Sequence, residues 1–309
     1  MMKAVYLNRK AGPEALIVGE IPRPEPGEGE VVVRVHAAAI TPTELEWYPT
    51  FNQKSGQPRP FPIVLSHEFS GVIDAVGADV RGLQPGTEVY GLNDWFANGA
   101  LAEYCIAPAS ALAAKSQSID HVHAAAAPIS ALTAWQGLFD RAKLSRGQRV
   151  LIHGAAGGVG IFAVQLAARC GAHVIATASA HNLEFVRSLG VNEVLDYRAT
   201  RFETAVARVD VVFDSIGGET LERSWSVLKP GGTLVTIAAQ SEGIKEQRVR
   251  DAFLLVEARG DELSALAKQI DAQELRVTIA REFPLAEARA AFEFARQGGM
   301  RGKVVLRVR

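Results

Sequence analysis

The residues His153-Gly154-Ala155-Ala156-Gly157-Gly158-Val159-Gly160 carry the plainest chemical signature in the chain. They follow the apolar run RVLI and open the apolar run IFAVQLA, so a strand, a glycine turn and a helix are predicted in that order. Glycines let a backbone turn sharply and approach a pyrophosphate closely, while unpaired N–H groups at the helix start supply donors and a favourable dipole. The spacing Gly154-x-x-Gly157-x-x-Gly160 departs from GxGxxG, with Ala155 and Ala156 in the first turn. The bland alternative is a glycine-rich turn that binds nothing.

Dinucleotide folds that take NAD place an acid on the ribose diol about twenty residues past the last glycine. Here that stretch reads Ala176-Thr177-Ala178-Ser179-Ala180-His181, with no Asp or Glu between Gly160 and Glu184. Nothing repels a 2′-phosphate, Ser179 can donate a hydrogen bond, and His181 or Arg187 can supply positive character. NADP(H) is the expected cofactor. Alternatively, Ser179 is a helix cap and the two basic residues are a solvated face, with weaker discrimination between cofactors.

The elements that must position this turn can be read around it. The chain has 309 residues, 48% of them hydrophobic, and a formal net charge of -1. No block of Lys or Arg accumulates, so a nucleic acid or membrane-surface partner is not expected. No run is long and apolar enough for a membrane span, and the N-terminus lacks a leader pattern. Cys105 and Cys170 have no CxxC or His-rich surroundings, which suits two thiols in a reducing cytoplasm. Up to about residue 115 the chain reads as short β segments such as KAVYL, EVVVRVHAAAI and FSGVIDAVG, broken by turns. Beyond Ser118 it alternates: RVLIH, HVIATAS, EVLDY, VDVVFDSI and GTLVTIA are apolar strands, with helical stretches expected before HVIATAS, EVLDY and GTLVTIA. That pattern predicts an α/β chain with a doubly wound parallel sheet, and the tail from VTIAREF onward is expected to rejoin the β module.

Taken together these marks resemble the medium-chain dehydrogenase/reductase superfamily, and within it the zinc-independent quinone oxidoreductase branch. The resemblance rests on KAVYLNRKAGPEAL, EVVVRVHAAAITPTE, SHEFSGVIDAVG, ALAEYCIAP, AAAAPISALTAWQGL, GQRVLIHGAAGGVG, LKPGGTLVTI and the closing RGKVVL. It implies a GroES-like β domain (residues 1–117 and 272–309) plus a Rossmann dinucleotide-binding domain (118–271), with substrate and nicotinamide meeting between them. It also implies a homodimer, for which the expected strand AFLLVE is the candidate pairing edge.

Zinc members of the superfamily draw metal ligands from three separated segments. The resemblance places His67 in one of them, but Thr41 stands at the first cysteine position and Ile129 or Ser130 near the second. One histidine cannot hold zinc, so a metal-free site is expected. Metal-free sites suit quinones and enones, which spread incoming hydride charge into their own oxygens. Thr41-Pro42-Thr43-Glu44 resembles the branch's Asn-Pro-x-Asp with both polar positions changed, which makes Thr41 and Glu44 catalytic candidates; Tyr48, on the short helix that follows, and His67, as a polar group in the cleft, join them. A cap on a short helix from Pro42 is the other reading of Thr41 and Glu44.

On the cofactor side the resemblance implies Thr133 near the nicotinamide, Gly157, Gly158, Val159 and Gly160 at the pyrophosphate, Ser179 and His181 at the 2′-phosphate, and Tyr197 near the adenine. Ser215, Ile216 and Gly217 with Ile237, Ala238 and Ala239 end later strands, and Gly302 and Lys303 form a closing segment. The expected activity is NADPH-dependent two-electron reduction of a quinone or α,β-unsaturated carbonyl. Its rivals are a zinc-dependent alcohol dehydrogenase and a non-catalytic NADPH-binding regulatory or structural protein.

Overall fold

The computed structural model describes residues 1–309, which divide into two compact units. The first comprises residues 1–129, 258–298 and 303–309; the second comprises 130–257 and 299–302. In the first unit β1 (Met2–Leu7) runs antiparallel to β2 (Leu16–Ile21) on one side and β4 (Ile63–Val64) on the other. The long strand β3 (Glu30–Ile40) pairs antiparallel with β5 (Glu68–Val76) and with β7 (Tyr104–Pro108). Beyond β5 come β6 (Glu88–Leu92) and β8 (Leu112–Ala114). Val31, Val33, Val35, Phe69, Ile73 and Val89 are fully buried along these strands. The apolar runs noted in the sequence are therefore core.

In the second unit, β9 (Arg149–His153), β10 (His173–Ala178), β11 (Glu193–Asp196), β12 (Val209–Asp214) and β13 (Leu228–Thr236) form an all-parallel sheet in the order β11-β10-β9-β12-β13. The chain winds outward from β9 in one direction and then from β12 in the other. Strand order thus reverses at β9 and β12, whose C-terminal ends define the crevice where such sheets take ligands. The run AFLLVE does not form the expected strand. Ala252 closes the helix Gln247–Ala252, and only a bridge between Phe253 and Thr236 and the bond from Leu254 N to Thr236 O link the run to β13. Apolar composition alone did not supply a ladder there.

The tail returns to the first unit as β14 (Ile279–Pro284) and β15 (Lys303–Arg307), which are parallel to each other, with β15 antiparallel to β3. The unit boundary differs from the sequence expectation at three places, one of them residues 299–302, which belong to the second unit. The helix His121–Ala125 is capped by Asp120, and Val122, Ala125 and Ala126 pack on Ala37, Ala39 and Val305, which fixes residues 118–129 to the first unit. The helix Gly260–Asp271 joins it too: the Tyr90 hydroxyl donates to Leu263 O at 2.6 Å, and Ser116 Oγ donates to Asp271 Oδ1 at 2.5 Å.

Candidate functional site

In the second unit, β9 ends at His153 and the chain enters a left-handed turn at Gly154, φ +73°. Ala155 N donates to Thr177 O and Gly157 N to Gly154 O, so the turn is pinned to β10 and to itself. The helix Gly158–Cys170 then starts without a side-chain cap, leaving the Gly158, Val159 and Gly160 N–H groups as its first-turn donors. Close packing explains the glycines. A Cβ on Gly160 would lie 2.2 Å from Gly154 O, and one on Gly154 would lie 2.3 Å from Ser215 Oγ. Such a bare, donor-rich cradle fits a dinucleotide pyrophosphate.

Asp214, at the end of β12, organises the far side of the crevice. Its buried carboxylate accepts from Ile216 N, Gly217 N and Thr236 Oγ1, while Ile237 N donates to Asp214 O. Burial raises its pKa against these hydrogen bonds. The segment Ser215–Gly217 is thereby fixed to the start of Ile237–Ala239, and Ser215 Oγ donates to His153 O. A cavity of about 240 Å³ lies beside it, lined by His153, Gly154, Thr177, Tyr197, Phe202, Ile216, Thr220 and Arg223. Tyr197 and Ile216 are 52% and 50% exposed, so two apolar faces flank an accessible slot.

His153 forms the floor of that slot. Ser224 Oγ gives its proton to Thr220 O, so His153 Nε2 donates to Ser224 and Nδ1 accepts from Thr177 Oγ1. Burial, and secondarily Arg223, pushes its pKa down to about 3. The unfolded chain, with a histidine value near 6.5, therefore takes up the proton first as pH falls. Stability from this group is complete above about 6.5 and is lost at up to ~1.4 kcal/mol per pH unit below it. Urea midpoints should accordingly drop between pH 7 and pH 5, and His153→Asn should flatten that slope by about one proton. An unchanged slope in the variant would refute the assignment.

In the first unit, two buried polar groups gather around residues 41–68. Glu44 Oε1 accepts from Ser66 N at 2.7 Å and lies 2.7 Å from His67 Nδ1, while His67 Nε2 lies 3.2 Å from Ala97 O. Ser66 sits in the left-handed region, φ +71°, which a non-glycine residue adopts at a cost of order 1–3 kcal/mol. Its hydroxyl donates to Ala39 O, so the carboxylate of Glu44 and a neighbouring strand hold the strained turn. Alongside it, Lys303 Nζ donates to Thr41 Oγ1 at 3.0 Å and pairs with Glu68 Oε1 at 2.5 Å. Glu68 Oε2 accepts from Ile129 N at 2.9 Å. Burial raises the Glu68 pKa, and Lys303 opposes that shift.

Two family models match the chain: an alcohol dehydrogenase GroES-like domain over residues 27–117 and a zinc-binding dehydrogenase domain over residues 189–306. A mouse mitochondrial NAD(P)H oxidoreductase is 32% identical, the match covering 90% of this chain and 82% of that protein. The structure of a quinone oxidoreductase from Coxiella burnetii superposes with a TM-score of 0.91 at 32% identity, covering 100% and 99% of the two chains. The chain belongs to the medium-chain dehydrogenase/reductase superfamily, in its quinone oxidoreductase-like branch. It is an oxidoreductase, which removes the purely regulatory or structural reading. A further relative in the superfamily, a mycobacterial protein solved in complex with NADPH, has a TM-score of 0.84 at 29% identity over the full length of both chains.

Within this superfamily the placement of the sequence candidates is uneven. Thr41 meets Lys303, and Glu44 meets His67, so neither Thr41 nor Glu44 caps a helix; the short helical turn at Glu44–Glu46 has no side-chain cap. Tyr48 is 50% exposed at the start of the one-turn helix Tyr48–Phe51 and shares no hydrogen bond with that group. Thr133 is buried on the helix Pro128–Trp135. Ser179 and His181 adjoin each other at the end of β10, 3.2 Å apart, and Gly302 N donates to Ala156 O beside the glycine turn. Sequence reasoning missed Glu68, Asp214 and Arg301. Glu68 follows His67 directly, and a carboxylate in an otherwise apolar strand was the available signal.

The donors in the first unit do not fit zinc. Both His67 ring nitrogens face oxygen acceptors, Thr41 and Glu68 converge on an ammonium group, and no three His, Cys, Asp or Glu side chains gather into a ligand set. No helix is long and apolar enough to cross a membrane.

Proposed function

We propose that this oxidoreductase uses NADPH to reduce quinones or α,β-unsaturated carbonyl compounds, without a metal. The observation that carries the reading is the series in which Lys303 ion-pairs with Glu68 and donates a hydrogen bond to Thr41. Because the ammonium donates to Thr41 Oγ1, the Thr41 proton is left to donate elsewhere, and the neighbouring charge makes that hydroxyl a better donor. A carbonyl oxygen gaining negative charge is a suitable acceptor. A conjugated acceptor needs little more, since its own π system spreads the charge. Glu44 holds the His67 and Ser66 segment in place.

The glycine cradle supports a dinucleotide, with the slot between Tyr197 and Ile216 taking the adenine. When bound, the nicotinamide supplies the hydride. Two unpaired cysteines suit a cytoplasmic protein, and the exposed Leu255 within AFLLVE suits a homodimer, which light scattering would test.

Turnover against a panel of ortho-quinones, para-quinones and enones, with NADPH or NADH, tests the proposal. NADPH-dependent reduction of at least one class is expected, and stoichiometric zinc in active protein would overturn the metal-free part. Thr41→Val should lower kcat on the order of 10²-fold with NADPH affinity unchanged, while Thr41→Ser should keep most activity. A fully active Thr41→Val would remove the hydroxyl from the mechanism.

A further inference from the structure

We infer that Arg301 is the residue that selects the 2′-phosphate, and so sets the preference for NADPH over NADH; the inference rests on the nicotinamide-cofactor reading above. The end of β10 offers polar groups there but no free fixed cation. His181 Nδ1 meets Ser179 Oγ at 3.2 Å, and Nε2 meets Gly299 O at 3.0 Å, so both ring nitrogens are engaged within the second unit. The sequence candidates Ser179 and His181 thus act as scaffold as much as ligand.

What they hold is the segment Gly299–Gly302. Gly298, Gly299 and Gly302 all have positive φ (+68°, +70° and +82°), which lets this short stretch turn at both ends. One end is fastened at Gly299 O, which accepts from His181 Nε2 and from Asn182 Nδ2 at 3.3 Å. The other is fastened at Gly302, whose N–H donates to Ala156 O at 3.0 Å and which bridges to Gly157 in the glycine turn. The segment therefore runs from the loop after β10 to the pyrophosphate cradle.

Arg301 is carried on this segment and folds back onto the loop. Its Nε donates to Asn182 Oδ1 at 2.7 Å, its Nη2 donates to His181 O at 2.6 Å, and its guanidinium lies 5.2 Å from the centre of the Phe185 ring. Every one of these partners is uncharged. Arg301 forms no ion pair within the chain, and its exposed guanidinium keeps an N–H edge open to solvent. An arginine immobilised by neutral acceptors retains its charge for an incoming anion and presents a planar fork that suits phosphate. It does so at the end of the second strand, where an NAD enzyme would carry a repelling acid and where a nearby arginine accommodates a 2′-phosphate.

Isothermal titration of the whole protein with NADPH, NADH, 2′,5′-ADP and 5′-AMP tests this without recourse to turnover. Wild type should bind NADPH and 2′,5′-ADP at least 10-fold more tightly than their unphosphorylated counterparts. Arg301→Gln should lose that preference while binding NADH and 5′-AMP within about 2-fold of wild type. Arg301→Lys, which keeps the charge but not the fork, should recover part of it, and Arg187→Gln should leave the preference intact. A selective wild type with an equally selective Arg301→Gln would overturn the assignment to Arg301 and leave NADPH in place. Wild type that binds none of the four ligands would instead overturn the cofactor reading itself.

Discussion

Gly160→Ala should abolish useful NADPH binding, with an affinity loss of about 100-fold or more and a stability loss of about 1–3 kcal/mol. The added methyl carbon would lie 2.2 Å from Gly154 O and 2.8 Å from Ala155 Cα, and both are backbone atoms. A flexible side chain could swing away; these cannot. Gly154 is held by its +73° conformation and by the bond from Gly157 N, and Ala155 N is tied to Thr177 O. The clash must therefore be relieved by moving the start of the helix Gly158–Cys170 away from the turn, which misaligns the three first-turn donors proposed for the pyrophosphate. Gly157→Ala is the internal comparison. Its Cβ would lie 3.3 Å from the same oxygen, so a shift of a few tenths of an ångström accommodates it, and its affinity loss should stay within about 10-fold. Fluorescence titration with NADPH and urea unfolding read the two effects separately. Wild-type affinity in Gly160→Ala would show that the cradle is not where the cofactor's phosphates bind.

The contrast between those two glycines shows what kind of information a sequence carries. The turn was legible because its chemistry is local: an apolar strand, glycines and an apolar helix are neighbours in the chain, and their order implies the geometry. The parallel sheet was legible for the same reason, since β9 to β13 are short apolar runs spaced by helices. AFLLVE has a strand's composition but only one bridge and one hydrogen bond to β13, because pairing depends on the neighbour presented and not on the run itself. The unit boundary was misplaced because the alanines of the helix His121–Ala125 suit either unit; only the fitted face against Ala37, Ala39 and Val305 decides. The least legible features are charged residues distant in sequence. Arg301 belongs to no motif in the sequence, and its place shows only once Asn182 and the His181 carbonyl are seen to hold it. Glu68 reads as the neighbour of a histidine until Lys303 arrives on another strand.

Lys303→Met should destabilise the protein by about 3–5 kcal/mol at neutral pH, although it replaces a charge with an apolar side chain of similar length. The reason lies in what it leaves behind. Glu68 is fully buried, and its remaining hydrogen bond comes from Ile129 N. Burial already raises the Glu68 pKa, and Lys303 is the main influence opposing it, so removing the ammonium raises it further. A carboxyl whose folded pKa exceeds its unfolded value is stabilised when protonated: that contribution is complete below the unfolded pKa and is lost as pH rises through the folded one. The difference between wild type and Lys303→Met should therefore shrink as pH falls from 7 toward 5. This trend opposes the acid sensitivity from His153, so the comparison must be made against wild type at each pH. Glu68→Gln alone should also be destabilising, since it strands a buried ammonium, but the double variant should recover much of the loss because neither charge remains. The urea-unfolding cycle should give a coupling of at least ~2 kcal/mol, and a value near zero would mean that the pair is not a unit. Turnover separates the pair's two roles. If Lys303 polarises the Thr41 hydroxyl, the double variant regains stability without regaining kcat, because the fold needs only balanced charge whereas the hydroxyl needs the ammonium beside it.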